Sequence, residues 1–381
     1  MGELLPSLAA RQIRDGLFDY LETTFSLSDE SARVALADFL RHDDDGIFKG
    51  PYLRTRLPFL PAPDGWRDTL EWHPVDDDEH AFPPYEHQAR AFERLSSANR
   101  DRPLPTLITT GTGSGKTEAF LYPILDHVLR ANRHGTGGMK ALILYPMNAL
   151  AYDQAQRLAD LITSHQSLSG VTAGIYTGQA DGDRTVVSAD SLVTNRQVMR
   201  SSPPDILLTN YKMLDQLLLR RQDAGIWEQS ATSLQYLVLD EFHTYDGAQG
   251  TDVAMLLRRL GMALKAHGAQ GERPLAHVTP VATSATLGDG GDPGAMLGFA
   301  QTVFGEQFTD DAVITESRVG PQEWLAGPGL SDIAPVEGAE LATRLASIDY
   351  DQDAAAVAAA ALEAAFDGDI KTAETADLVR S

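Results

Sequence analysis

The run Thr109-Thr110-Gly111-Thr112-Gly113-Ser114-Gly115-Lys116-Thr117 concentrates the residue types that bind phosphate. It follows an apolar stretch and opens an amphipathic one, which places it at a strand-to-helix turn. Closely spaced glycines let successive backbone N–H groups curl round phosphate oxygens, and a helix N-terminus adds partial positive charge. Thr110, Gly111, Thr112, Gly113, Ser114 and Gly115 would form that cradle. Lys116 is spaced to reach the β- and γ-phosphates, and Thr117 to place its hydroxyl on Mg2+. The strict consensus begins with glycine where this chain has Thr110, and a Gly-rich turn without a ligand would differ little in composition.

Further along, the apolar run Tyr236-Leu237-Val238-Leu239 ends in Asp240-Glu241-Phe242-His243. Alone, such a box would be two solvated acids in a turn. Downstream of a phosphate loop, carboxylates at the carboxyl end of a strand suit ATP hydrolysis. Asp240 can hold Mg2+, usually through water, and Glu241 can polarise the attacking water.

Residues so far apart in sequence meet only if the elements beneath them share a sheet. From Pro83 to about Val319, short apolar runs alternate with amphipathic stretches. The predicted strands are Thr106–Thr110, Ala141–Tyr145, Thr172–Tyr176, Ile206–Thr209, Tyr236–Leu239 and His277–Ala282, with Ala312–Ser317 as one more. This alternation predicts an α/β fold, a parallel sheet covered by helices on both faces, with ligands at the carboxyl ends of the strands. Residues 1–80 read as a helical accessory region, from the spacing of Leu8, Ile13, Leu17 and Leu21 and of Val34, Leu36, Phe39 and Leu40. Residues 81–320 read as the ATP-binding domain, and 321–381 as a linker leading into an Ala-rich helical tail.

Composition narrows the class. Of 381 residues, 43% are hydrophobic, enough for a buried core, which excludes wholesale disorder. There is no Cys, so disulfides, thiolate metal sites and a cysteine nucleophile are excluded. No apolar run approaches the roughly 20 residues that span a bilayer, so no membrane partner is expected and the location is expected to be cytoplasmic. Lys+Arg 31 against Asp+Glu 54 gives a net charge of −23, which argues against a basic coat that grips nucleic acid by charge alone. A local groove remains compatible with that balance.

Taken in order, Gly111–Thr117, Asp240–His243 and Thr283-Ser284-Ala285-Thr286 resemble motifs I, II and III of superfamily 2 helicases. Tyr85 and Gln88 resemble the upstream Gln motif that reads adenine. Tyr145-Pro146-Met147-Asn148-Ala149-Leu150 resembles motif Ia, Tyr176-Thr177-Gly178 the next strand-end motif, and Leu208-Thr209-Asn210-Tyr211 motif Ib. The resemblance covers most of the chain. It implies a RecA-like phosphate-loop domain using ATP and Mg2+, with Lys116, Asp240, Glu241 and His243 in catalysis. Ser284 and Thr286 would couple the ATP state to nucleic-acid movement, with His243 touching motif III. Pro146, Asn148, Thr177, Gly178, Thr209 and Asn210 would hold a sugar–phosphate backbone without reading sequence.

DEAD-box RNA helicases carry Asp where this chain has His243, and a Pro-Thr-Arg-Glu-Leu type motif where it has Pro146–Leu150. The sequence is more similar to bacterial DNA helicases, among them the MrfA-type repair helicases and enzymes of phage-defence islands. DNA is therefore favoured over RNA. An RNA helicase, or an ATP-gated nucleic-acid-binding subunit that never unwinds, stands as the alternative. A superfamily 2 motor also needs a second RecA-like domain bearing arginine fingers. After Thr286 the only arginines are Arg318, Arg344 and Arg380. The expectation is an N-terminal part of a longer protein, with the second domain in the rest of the chain or on a partner subunit, and weak hydrolysis by this chain alone.

Overall fold

The computed structural model describes residues 6–25, 27–42, 46–48, 57–74, 83–98, 100, 102–111, 113–178, 182–285, 293–320, 334–335, 338–349, 357, 360–361, 364 and 366–367. They fall into two compact units, Pro58–Arg318 on the one hand and Met1–Leu57 with Val319–Ser381 on the other.

The smaller unit contains helices α1 (Pro6–Thr24) and α2 (Glu30–Arg41). Asp29 caps α2 by accepting the Ala32 N–H at 2.9 Å. Phe18 and Leu40 are buried, and Arg41 pairs with Glu22 at 2.9 Å. A further helix spans Gly338–Ala346.

The larger unit is built on seven parallel strands: β1 (Thr106–Thr109), β2 (Ala141–Tyr145), β3 (Ala173–Tyr176), β4 (Ile206–Asn210), β5 (Tyr236–Leu239), β6 (Thr279–Ser284) and β7 (Val313–Thr315). Their spatial order is β3-β4-β2-β5-β6-β1-β7. Helices α3 (Glu86–Leu95), α4 (Lys116–Arg133) and α5 (Asn148–Ser164) bury their apolar residues against one face. The opposite face carries α6 (Arg196–Ser201), α7 (Tyr211–Leu219), α8 (Ala224–Ser230), α9 (Gly247–Ala266) and α10 (Pro293–Phe304). The alternating pleat divides each apolar strand between two cores. In β2, Ala141, Ile143 and Tyr145 join the first, and Leu142 and Leu144 the second.

Several strand ends shift by one or two residues from the sequence expectation, and the domain boundary and strand β6 differ in ways that bear on the site. Residues from Pro58 onward belong to the sheet unit, although the domain was expected to begin at residue 81. Asp126 on α4 accepts the Glu71 and Trp72 N–H groups at 2.8 and 3.0 Å, and Trp72 is buried in the α4–α5 core. These are long-range contacts with no local periodicity to announce them. Strand β6 also begins two residues later than expected and runs on through Thr283 and Ser284, which pair with Ile108 and Thr109. His277 instead closes a turn in which Ala276 takes a left-handed φ of 56°.

Candidate functional site

The strand order sorts the predicted site residues into two groups along the carboxyl edge of the sheet. The adjacent trio β5-β6-β1 ends in Asp240 and Glu241, in Ser284, and in the phosphate loop. The trio β3-β4-β2 ends in Thr177 and Gly178, in Asn210, and in Pro146 and Asn148.

The phosphate loop is shaped by backbone positions. Gly113 and Gly115 both take φ +76°, a conformation that disfavours any side chain. A Cβ on Gly115 would also lie 2.2 Å from Gln88 Nε2. Ser114 donates its hydroxyl to Gly111 O at 2.8 Å. From α3, His87 Nε2 donates to Ser114 O at 2.7 Å and Gln88 Nε2 to Gly115 O at 3.0 Å. The carbonyl partner makes Nε2 of His87 a donor, and burial pushes the ring's pKa down, which disfavours the charged form. Gln88 Oε1 accepts the Tyr85 N–H at 2.9 Å. Both ends of this amide are thus engaged within the chain, and adenine would meet only its second N–H. Lys116 opens α4, and its Nζ is screened from solvent without a hydrogen-bond partner among the described residues. Its ionic partner is Glu241, whose Oε1 lies 3.7 Å away, within ion-pair distance but beyond hydrogen-bond reach. Thr112 lies outside the described residues.

The acidic box sits beside this lysine. Asp240 is 7% exposed, and its N–H donates to Leu144 O at 2.9 Å. Burial raises its pKa; the Thr283 hydrogen bond works in the other direction. Glu241 has the left-handed conformation φ 50°, ψ 49°, a strain of about 1–3 kcal/mol for a residue with a side chain. Thr244 N–H and Oγ1 hold its carbonyl at 2.8 and 2.7 Å. Thr283 Oγ1 accepts the Glu241 N–H at 3.3 Å and donates to the Asp240 carboxylate. Sequence reasoning assigned no role to Thr283, although its position beside Ser284 was visible. His243 Nδ1 lies 3.1 Å from Ser284 Oγ and 3.4 Å from Glu241 Oε2, so the geometry brings these three together. Thr286 lies outside the described residues.

Among the described residues no group of three His, Asp or Glu side chains is arranged to hold a metal. Asp240 and Thr117 offer hard oxygen donors, the type Mg2+ takes one or two at a time alongside substrate phosphates.

At the other trio, the expected backbone-contacting side chains divide. Thr209 is fully buried and donates to Tyr176 O at 2.5 Å, which corrects its expected contact with phosphate: the hydroxyl ties β4 to β3. Thr177 is likewise buried, its hydroxyl 2.6 Å from Tyr152 OH. Gly178 is exposed, and Pro146, Asn148 and Asn210 are half-buried. Asn210 donates to Asn148 Oδ1 at 2.6 Å and caps α7 through the Met213 N–H at 2.8 Å. A cation that sequence reasoning passed over stands there too. Arg196 donates to Thr177 O at 3.0 Å and lies 5.1 Å from the Tyr176 ring centroid.

The family described as DEAD/DEAH box helicase matches residues 85–290. The Druantia protein DruE of Escherichia coli (strain UMEA 4076-1) is 26% identical over 382 aligned residues, which cover 73% of this chain and 20% of DruE. The ATP-dependent helicase hrq1 of Schizosaccharomyces pombe is 31% identical over 176 residues, covering 46% of this chain and 14% of its own. Among solved structures, the crystal structure of DUF1998 helicase MrfA bound to DNA aligns with a TM-score of 0.49 at 23% identity, over 68% of this chain and 31% of that one. The chain therefore spans a fifth or less of the length of DruE and hrq1. With more than half of its residues inside the family match, the chain belongs to the DEAD/DEAH box helicases.

Proposed function

We propose that this chain is the ATP-binding part of an ATP-dependent DNA helicase or translocase. The observation that carries the reading is the convergence on Lys116 of the braced phosphate loop and the strained, Thr283-held acidic pair. Lys116 and the backbone of Thr110–Gly115 bind the phosphates, and Tyr85 and Gln88 lie at the adenine. Thr117 and Asp240 hold Mg2+, which neutralises charge developing on the phosphates when bound. Glu241 orients the water and accepts its proton. His243 and Ser284, 3.1 Å apart, transmit the nucleotide state between the acidic box and β6, with Thr286 beyond them.

Single-stranded nucleic acid lies across the ends of β3, β4 and β2, held by Gly178, Asn148, Asn210 and Pro146 with Arg196 added. DNA is favoured over RNA, on His243 in the acidic box and on the Pro146–Leu150 stretch. Completion of the motor takes a second RecA-like domain, in the same protein or on a partner subunit. Its arginine finger is typically worth about 10³–10⁵ in rate. A cytoplasmic place in DNA repair or antiviral defence is part of the same reading. The test is ATP turnover with matched single-stranded DNA and RNA. The reading expects very slow turnover by the 381 residues alone, and DNA-selective stimulation once the second domain is supplied. Robust stimulated hydrolysis by this chain alone, or stimulation by RNA only, contradicts it.

A further inference from the structure

The chain enters the sheet unit at Pro58 and leaves it at Arg318, and the two passing segments are clasped together. Phe59 bridges Arg318 in antiparallel fashion, and Leu60 N–H donates to Ser317 O at 2.9 Å. The incoming segment pairs in turn with the residues leading into α3: Pro61 bridges Tyr85, and Glu86 N–H donates to Leu60 O at 2.9 Å. Side chains reinforce the clasp. The Arg318 guanidinium lies 4.1 Å from the Phe59 ring centroid, and that ring is 4.9 Å from Tyr85 and 5.4 Å from His87.

Glu316 sits on the outgoing segment, directly after β7. Thr315 pairs with Thr109, so Glu316 lies beside the start of the phosphate loop. Its Oε2 accepts the Gly111 N–H at 2.8 Å, and its Oε1 accepts from Arg318 Nε at 2.9 Å. A carboxylate next to a site for a polyanion is electrostatically unfavourable, and the Arg318 partner offsets that cost. What the carboxylate provides is a fixed Gly111. The Gly111 carbonyl receives the Ser114 hydroxyl, while Ser114 and Gly115 are held from the far side by His87 and Gln88. The loop is thus pinned at its base and at its crown.

We propose that Glu316 is a positioning residue of the nucleotide site: through the Gly111 N–H it holds the phosphate loop in its binding shape before nucleotide arrives. It does not itself touch the nucleotide. The proposal rests on the reading of Gly111–Thr117 as the ATP site.

Glu316→Gln and Glu316→Asp separate hydrogen bonding from charge. The glutamine oxygen still accepts from Gly111 without the charge; the aspartate keeps the charge but withdraws its oxygens by one methylene. MgATP is titrated calorimetrically into the wild-type chain and both variants, and amide exchange at Gly111 is followed by NMR without nucleotide. E316D is expected to bind MgATP about tenfold more weakly and to expose the Gly111 amide, with E316Q within about threefold of wild type in affinity. Wild-type affinity or unchanged Gly111 exchange in E316D overturns the proposal, as does a shift confined to E316Q, which marks a purely electrostatic role. If the wild-type chain binds no MgATP, the reading of the loop as an ATP site fails. The Gly111 exchange comparison then decides separately whether Glu316 braces it.

Discussion

Thr283 donates its hydroxyl hydrogen to the Asp240 carboxylate across the adjacent strands β5 and β6. Its oxygen also receives the Glu241 N–H, so one side chain aligns a buried acid and a strained one. Thr283→Val keeps the shape and removes both bonds. The expected result is basal ATP turnover lowered about tenfold, with ATP affinity within about threefold of wild type, because the loss falls on alignment of the acids rather than on phosphate binding. Phosphate release and calorimetry on the two proteins measure this. Wild-type turnover in Thr283→Val would remove Thr283 from the mechanism.

Glu241 faces Lys116 from a left-handed turn, its Oε1 3.7 Å from the lysine Nζ. Glu241→Gln preserves size and removes the base. Nucleotide binding should persist and turnover should fall by about a hundredfold or more. Unchanged turnover would assign proton acceptance to another group.

The burial of Thr209 changes what its replacement should do. Thr209→Val loses the bond to Tyr176 O and should cost about 1 kcal/mol of stability while leaving single-stranded DNA affinity intact. Asn148→Asp instead places a charge at the strand-end edge and should weaken DNA binding about tenfold with MgATP affinity unchanged. Few phosphates meet cations there, so log affinity against log salt should be shallow, falling by about 0.7 per neutralised phosphate. Fluorescence anisotropy at several salt concentrations reads both effects. A steep slope, or wild-type binding by Asn148→Asp, would move the DNA to another surface.

Acid should unfold this protein in part through His127. Burial, then Arg130 and Lys140, push its pKa down from 6.5 to about 4. Between those values the unfolded chain binds a proton that the folded chain refuses. Stability therefore falls as pH drops from about 6.5 through about 4, by roughly 3 kcal/mol at full effect. His127→Gln can still reach Ser97, which lies 2.7 Å from Nδ1, and should lose less stability over that range. Urea melts at neutral pH and near pH 4.5 make the comparison; parallel losses in the two proteins would exclude His127 as a source.

The strands were legible because each is a short apolar run ended by Gly or polar residues, and their ends carry the chemistry. The pairing of those ends was less so. Nothing in the sequence distinguishes the buried Thr209 and Thr177 from the half-buried Asn148 and Asn210, since all are small polar residues at strand ends. Which of them faces outward is set by pleat and register. Thr283 was named as the first residue of Thr283–Thr286, but the resemblance gave roles only to Ser284 and Thr286, and the predicted strand stopped at Ala282. Glu316 reaches Gly111 of the phosphate loop across 205 residues of sequence, and Phe59 bridges Arg318 from the other end of the sheet unit's sequence, through contacts with no local signature.

Calorimetric titration of MgATP into the wild-type chain and into Lys116→Ala tests the central claim most directly. Lys116 Nζ is screened from solvent and lies 3.7 Å from Glu241 Oε1, where the phosphate loop meets the acidic box. One MgATP per chain should bind to wild type, and Lys116→Ala should bind about a hundredfold more weakly while melting at a similar temperature. Equal affinity in the two proteins, or no binding to wild type, would contradict the assignment of this loop as the ATP site.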